Sequence, residues 1–338
     1  MHPADKALLR LALGVGLTVA VAYGLSLPAP FVSCIMAVVF LAKPGPPMPF
    51  AKGLVVGLVV FCLLIVGILM VPLLRHYRLS GLLITATLLY LVFFSGARKA
   101  NPLTTILVVA FTVIPVAGVL EQALATALAQ AIGVGMAVGV AVSGVSHALF
   151  PDPRSQAPPA PAGASPEAAK WLALQATIVV MPVFMVALTY PPLYLAAIMK
   201  TVALGQQAGE AKAGAAGREL VGSTLMGGLM AAAVWGGLTM LPNLWMLTLW
   251  ITAACFWGGA RLYRIKPTSV APTFWLNALI TMFIVLGPGI EDAAAGKDVY
   301  LASATRVSLF VLVSLYAWAT VWALGRWRAS RMAALPAP

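Results

Sequence analysis

The chain has 338 residues, of which 62% are hydrophobic and only 9% are charged, and its mean hydropathy is +0.98. Soluble domains carry roughly 25% charged residues, so this composition excludes an ordinary water-soluble protein and indicates a membrane protein whose solvent is lipid. The formal net charge of +12 could suggest a nucleic-acid partner. We expect none, because an excess of Lys and Arg is typical of the cytoplasmic loops of membrane proteins.

Twelve apolar segments follow one another along the chain. A spanning helix needs about 20 apolar residues. The first segment has features of a signal peptide, but a second apolar segment follows at once, so we interpret the first as a retained helix. The second and eighth segments are short and begin at proline pairs, which predicts half-helices or strong tilt. The predicted spans are 7–27, 29–43, 52–74, 79–96, 102–120, 122–149, 168–189, 191–207, 218–241, 243–260, 270–289 and 300–325.

The two sets of six segments resemble each other in sequence. Leu11-Ala12-Leu13 near the start of the first segment matches Leu172-Ala173-Leu174 near the start of the seventh, and a Gly-Ala-Arg sequence lies at the end of both the fourth segment, at Arg98, and the tenth, at Arg261. This duplication predicts an all-α membrane protein of two parallel six-helix repeats, an organisation typical of transporters and channels. The predicted domains are a first repeat at 1–150, a Pro/Ala-rich cytoplasmic linker at 151–167, a second repeat at 168–325 and a basic cytoplasmic tail at 326–338.

The positive charges predict the orientation. With the N-terminus in the cytoplasm, the cytoplasmic stretches, together with Arg10 at the adjoining end of the first span, hold sixteen of the 21 Lys and Arg residues, as the positive-inside rule requires. We therefore expect a multi-pass protein of the bacterial inner membrane with both termini in the cytoplasm. Lys200 and Arg306 are the basic residues that lie deepest within predicted spans.

The ninth span begins with the sequence Arg218-Glu219-Leu220-Val221-Gly222-Ser223-Thr224-Leu225-Met226-Gly227-Gly228, and it follows a short helix led by Pro191-Pro192. This pattern resembles the fusaric-acid-resistance and aromatic-acid-exporter superfamily, in a compact branch without the large cytoplasmic domain. The resemblance implies an inner-membrane exporter of aromatic carboxylates or other amphiphilic toxicants. It also implies a periplasmic membrane-fusion adaptor as a partner of many members.

Two intramembrane cations are candidates for an anion pathway. Arg306 lies about two turns into the last span, where a charge is costly and should face the bundle interior or a wet cavity. It could receive a carboxylate through two hydrogen bonds, or it could extend to the lipid headgroups. Lys200 could carry a proton or act as a counter-charge for an anion. The alternative is that its span ends early and Lys200 flanks the membrane.

Other polar residues have both a transport and a packing interpretation. Arg98 and Arg261 could form a cationic mouth that concentrates anions, or they could anchor their helices. Asn277 and Thr281, one turn apart, could hydrogen-bond a substrate or a neighbouring helix. In the ninth span, Arg218, Gly222, Thr224 and Gly227 form a small-residue motif that favours close helix packing, and the same thin face could line a pathway.

None of the nine acidic residues lies in the middle of a predicted span. The charge within the predicted spans is therefore positive, which favours an anionic permeant. Proton-coupled transporters usually carry a buried carboxylate, and because the sequence predicts none, it does not indicate the energy source. The sequence thus predicts an exporter of organic anions such as aromatic carboxylic acids. The alternatives are a passive anion channel and a non-transporting membrane subunit of an adaptor complex. In every case we expect a homo-oligomer.

We expect no enzyme, cofactor or metal site. The sequence has no Ser/His/Asp or paired-carboxylate arrangement, no Gly-rich phosphate loop and no Walker motif. Cys34, Cys62 and Cys255 are isolated in apolar segments, without the spacing of metal ligands.

Overall fold

All regular elements of the computed structural model are helices, within the residues that the structure describes: 2–42, 47–99, 103–151, 163–210, 213–296 and 298–333. The predicted all-α class is confirmed for these residues. The thirteen helices described are α1 (Pro3–Gly24), α2 (Pro30–Ala42), α3 (Phe50–His76), α4 (Arg78–Lys99), α5 (Thr104–Phe111), α6 (Val113–Leu120), α7 (Gln122–Leu149), α8 (Pro166–Thr189), α9 (Pro191–Glu210), α10 (Ala213–Met240), α11 (Leu244–Leu262), α12 (Pro272–Ala294) and α13 (Val299–Ala333).

Eight of the described helices are long and apolar enough to cross a membrane, which confirms the multi-pass character that the composition predicts. They are α1, α3, α4, α7, α8, α12, the Glu219–Met240 part of α10 and the Val299–Arg328 part of α13. The full count of twelve spans and their division into two repeats stay predictions. Most of the predicted linker, residues 152–162, lies outside the described residues. The predicted basic tail continues α13 as far as Ala333.

The second apolar segment forms a short helix. As described, α2 has 13 residues, which rise about 20 Å, whereas the hydrocarbon core is about 30 Å thick. This length agrees with the expected half-helix. The corresponding helix of the second set, α9, has 20 residues and is longer than the sequence predicts, because it continues through the polar residues after 207.

The fifth predicted span is not one helix. It forms α5 and α6, each of eight residues, separated by Thr112 at φ −123° and ψ −66°. Pro115 explains the break, because its ring crowds the carbonyl four residues earlier and it has no N–H to donate. The Thr112 hydroxyl donates to the Val108 carbonyl at 2.6 Å and satisfies an acceptor near the break.

The described chain divides into two compact units, and each combines segments from both halves of the sequence. Unit 1 comprises Met1–Ile65, Thr126–Pro159 and Ser223–Val307. Within it α1 packs against α2 and α11, and α12 packs against α2 and α11. The α1–α11 contact is close, since a Cβ on Gly16 would overlap the side chain of Thr252.

Unit 2 comprises Val66–Ala125, Ala160–Gly222 and Ser308–Pro338. Here α8 packs against α4 and α9, α4 packs against α5, and α9 contacts both α5 and α6. The last helix joins this unit through Tyr316, whose hydroxyl donates to the Ile178 carbonyl of α8 at 2.8 Å.

In unit 1, α10 approaches its neighbours at two adjacent glycines. A Cβ on Gly227 would lie 2.6 Å from the Ala278 carbonyl oxygen and 2.6 Å from the Thr281 Cβ, both in α12. A Cβ on Gly228 would lie 3.2 Å from Val307 of α13. Small residues allow this approach of helix backbones, so the geometry favours the packing interpretation of the Gly227 motif.

We expect Gly227→Ala to lower the free energy of unfolding by about 1–3 kcal/mol, because the added methyl group meets backbone that cannot move aside. The measurement is thermal or denaturant unfolding of the purified protein in detergent.

The matched control is Gly236→Ala in the same helix, where an added Cβ meets nothing within 4 Å. This change should leave stability unchanged or raise it slightly, because Ala is the better helix former. Equal effects of the two substitutions would contradict close packing at Gly227.

Candidate functional site

Arg306 pairs with a carboxylate inside unit 1. It lies in α13, seven residues after Val299, and its side chain is 19% exposed. Its Nη2 donates to Oδ2 of Asp292 in α12 at 2.5 Å. The pair joins the end of one apolar helix to the beginning of the next.

Asp292 is a candidate site residue that the sequence did not indicate. The predicted eleventh span ended at residue 289, which left this aspartate in a loop. The helix instead continues to Ala294 and buries Asp292 to 8% exposure. The signal that marks the real end is Gly296, at φ +71°, whose N–H donates to the Ala293 carbonyl, as in a left-handed helix cap.

One nitrogen of Arg306 has no partner among the described residues. Its Nη1 is shielded from water and makes no hydrogen bond there. A buried donor left unsatisfied costs about 1–3 kcal/mol, and more for a charged group. The guanidinium can therefore accept a further oxygen ligand while Nη2 remains with Asp292, or a bidentate carboxylate if Asp292 withdraws.

Asn277 and Thr281 lie farther back in α12, and both are buried. The Thr281 hydroxyl donates to the Asn277 backbone carbonyl at 2.7 Å, and its Cβ borders the place where Gly227 approaches. Thr281 thus takes part in the α10–α12 packing, and Asn277 is buried one turn before it. Their role towards a substrate stays a prediction.

The remaining residues of the motif in α10 divide between the two units. Thr224 is fully buried in unit 1. Gly222 is half-buried at the last position of a segment of unit 2. Arg218 lies in the helical backbone of α10, but its side chain is outside the described residues.

Lys200 is one of the largest fully buried side chains of the described structure, at 2% exposure. It lies in the middle of α9, in unit 2, and is followed by the buried Thr201, whose hydroxyl donates to the Ala197 carbonyl. The helix does not end at Lys200, because α9 continues for ten residues to Glu210; whether Lys200 lies within a membrane span stays a prediction.

Arg98 and Arg261 have different surroundings. Arg98 is exposed near the end of α4 in unit 2. Arg261, in unit 1, lies 3.8 Å above the ring of Trp257, and its Nη1 donates to the Trp257 carbonyl at 3.0 Å. These contacts along its own helix favour the anchoring interpretation for Arg261.

Other cations bind helix ends. Arg10 is buried, and its Nη1 donates to the Phe150 carbonyl, while Lys6 donates to the Pro151 carbonyl. Arg75 donates from Nη2 to the carbonyls of Gly118 and Val119 at the end of α6. Cations near a helix C-terminus satisfy its last carbonyls and interact favourably with its dipole. We therefore assign these three side chains to stability.

Among the described residues, no group of three or more His, Cys, Asp or Glu is placed to hold a metal ion. Cys34 and Cys255 are buried free thiols, and Cys62 is exposed.

Comparison with known proteins gives one match. A family model described as a protein of unknown function (DUF2955) matches residues 7–145, which lie within the first predicted repeat and make up less than half of the chain. No match was found among curated proteins or among solved structures. The chain is similar to that family over this stretch, and the match assigns no activity.

A double-mutant cycle tests the ion pair. We expect Asp292→Asn and Arg306→Met each to destabilise the protein by about 3 kcal/mol, near the lower end of the range for breaking a buried pair because this pair is partly exposed. The double variant should lose at least about 1 kcal/mol less stability than the sum of the losses in the two single variants, since it leaves neither charge without its partner. The midpoint of thermal unfolding in detergent is the measurement.

The control for this cycle is Arg78→Met, which removes an exposed arginine at the beginning of α4 and should change stability by less than about 0.5 kcal/mol. Strictly additive effects at Asp292 and Arg306 would contradict the pairing.

Proposed function

We propose that the protein is a membrane transporter that exports organic anions, with aromatic carboxylates as the substrate class. The observation that carries the proposal is the guanidinium of Arg306, which is partly buried between α12 and α13, pairs with Asp292 and has no hydrogen-bond partner for Nη1 among the described residues. A cation in this position is costly to keep. A transported carboxylate provides the oxygen ligands that offset the cost.

Asp292 supplies a step that couples transport to protons. While it is ionised, it holds Nη2 of Arg306. When it is protonated, the charge pairing is lost and the guanidinium can take both oxygens of a substrate carboxylate. Return of the Asp292 charge then competes with the bound anion and favours its release. Among the described residues, Arg306 is an ion-pair partner of Asp292, and Glu291, which precedes it in α12, is exposed.

The scaffold of the proposal is a pair of parallel repeats, and matched helix contacts support it. Unit 1 joins α1 and α2, the first two predicted spans of the first half, to α11 and α12, the fourth and fifth of the second half. Unit 2 joins α8 and α9, the first two of the second half, to α4, α5 and α6, the fourth and fifth of the first half. Each unit therefore combines the first two spans of one half with the fourth and fifth spans of the other half. Two copies of a duplicated sequence that exchange helices in this way would give the same contacts in both units.

Lys200, Asn277 and Thr281 belong to the proposal as pathway residues. A lysine buried in an apolar helix can act as a second counter-charge for an anion, and the two residues of α12 add hydrogen-bonding groups. Arg98 is retained as a cation that attracts anions to the membrane surface. For Arg261 we favour a role in anchoring α11, because its guanidinium donates to the Trp257 carbonyl of the same helix.

The setting of the proposal follows from the resemblance to the aromatic-acid-exporter superfamily and from the charge asymmetry of the loops. We propose the bacterial inner membrane, with both termini in the cytoplasm, a homo-oligomeric assembly and a periplasmic membrane-fusion adaptor as partner. The passive channel loses part of its support, because that interpretation rested on the lack of a buried carboxylate and Asp292 is one.

The deciding experiment is uptake of labelled phthalate, an aromatic dianion that crosses lipid slowly, into proteoliposomes with and without a pH gradient. We expect flux that requires the gradient in the wild type. Arg306→Ala should reduce it at least tenfold, because the anion loses its buried ligand. Asp292→Asn should leave the remaining flux insensitive to the gradient.

Flux that follows voltage alone, without dependence on the pH gradient, would replace the exporter with an anion channel. Wild-type flux in Arg306→Ala would remove this residue from the pathway. No flux with the wild type would overturn aromatic dicarboxylate export by the isolated chain.

A second measurement addresses Lys200. We expect Lys200→Met, which keeps the length of the side chain and removes its charge, to lower phthalate flux by about tenfold, corresponding to ~1.4 kcal/mol. Unfolding midpoints should stay close to the wild type, because neutral side chains are readily buried. The control is Lys52→Met, an exposed lysine at the beginning of α3. Equal flux in both variants would make Lys200 a packing residue.

A further inference from the structure

Unit 2 contains a cavity that the proposed transport step does not use. It has a volume of about 540 Å³, which lies in the size range of small-molecule sites. Residues from three helices line it, and they combine charge with aromatic and aliphatic surface. They are Tyr90 of α4, Glu167, Lys170, Trp171 and Leu174 of α8, and Arg328 of α13.

Aromatic stacking holds the cationic side of this cavity in place. The rings of Trp171 and Trp327 are stacked, with their centroids 6.1 Å apart. The guanidinium of Arg328 lies 5.2 Å from the centroid of Trp171. A cation on the face of a Trp ring is stabilised electrostatically. Arg328 is thus positioned at the cavity wall by α8, instead of extending freely from the end of α13.

The charge of the cavity favours one negative charge. Lys170 and Arg328 are cationic and Glu167 is anionic, so the three ionised side chains leave a net charge of one positive unit. A monovalent phosphodiester would neutralise the site. Arg and Lys both bind phosphate oxygens through charge-assisted hydrogen bonds.

The polarity of the lining changes with depth. Glu167 and Lys170 lie in the first turns of α8, close to the end of α4, where the Ala164 N–H donates to the Ala97 carbonyl. Leu174 lies eight residues beyond Pro166, and Tyr90 lies nine residues before Lys99. Both are about 12–14 Å along their helices from those ends. A free anion would contact only the charged residues at the ends of the helices, whereas a lipid would contact both those residues and the surface of Leu174 and Tyr90.

We propose that this cavity binds an anionic phospholipid, with the phosphodiester between Lys170 and Arg328 and an acyl chain along Leu174 and Tyr90. Trp171 lines the cavity and Trp327 stacks on it, and Trp side chains are enriched at the membrane interface where phospholipid headgroups lie. The site stands apart from transport, because none of its residues takes part in the Arg306–Asp292 pair.

The test is native mass spectrometry of the full chain in a neutral detergent, titrated with phosphatidylglycerol, phosphatidylcholine or glycerol 3-phosphate. We expect phosphatidylglycerol to bind at least about tenfold more tightly than phosphatidylcholine. We expect Lys170→Gln with Arg328→Gln to weaken the phosphatidylglycerol complex about tenfold. Leu174→Asn should also weaken it, since the acyl chain loses apolar surface.

The matched control is Arg326→Gln, two residues from Arg328 in the same helix, where the guanidinium lies 4.9 Å from the Trp322 ring centroid and outside this cavity. It should leave binding unchanged. An equal loss of phosphatidylglycerol binding in this control would mean that any positive charge on the helix attracts the lipid, and would overturn the proposal. Equal binding of phosphatidylcholine, or displacement of the lipid by glycerol 3-phosphate, would also overturn it, the latter in favour of a site for a soluble anion.

Discussion

Hydrocarbon offers no hydrogen-bond partners, so every backbone group of this chain that enters lipid must be satisfied within the protein. Helices meet this demand except at their ends and breaks. There, several polar side chains donate hydrogen bonds to the carbonyls that have no partner within the helix. Thr112 binds a carbonyl beside the α5–α6 break, Arg75 binds the last carbonyls of α6, and Arg10 binds the carbonyl that follows α7. A polar side chain in this protein is therefore first a candidate for hydrogen-bonding an unpaired backbone carbonyl, and only then a candidate for a role in transport.

That requirement separates Arg306 from the other arginines. Arg10, Arg75 and Arg261 direct their guanidinium groups to carbonyl oxygens of helix ends or of their own helix. Arg306 instead binds a carboxylate on another helix and retains a buried nitrogen without a partner among the described residues. Backbone satisfaction does not explain that arrangement. The proposed transport function would account for it, because a carboxylate substrate and Asp292 could exchange on the same guanidinium.

The sequence could predict the helices, because twenty-residue apolar runs and their flanking charges are local properties of the chain. It could not predict the break at Thr112, since Pro115 leaves hydropathy unchanged while it disrupts the helix. The burial of Asp292 escaped prediction because the acidic residue suggested a loop, whereas the helix ends only near Gly296. Lys200 was open to two interpretations because its burial depends on α9 packing against α5, α6 and α8, and those contacts are distant in sequence.

The pairing of α1 with α11 has a consequence for biogenesis. A ribosome completes α1 more than 200 residues before α11 exists, so α1 enters the bilayer without its partner. During that interval Gly16, which packs against Thr252 of α11 in the finished protein, faces lipid or the insertion machinery. Final assembly of unit 1 is therefore post-insertional, and the nascent first half depends on its surroundings to shield this surface until the second half arrives.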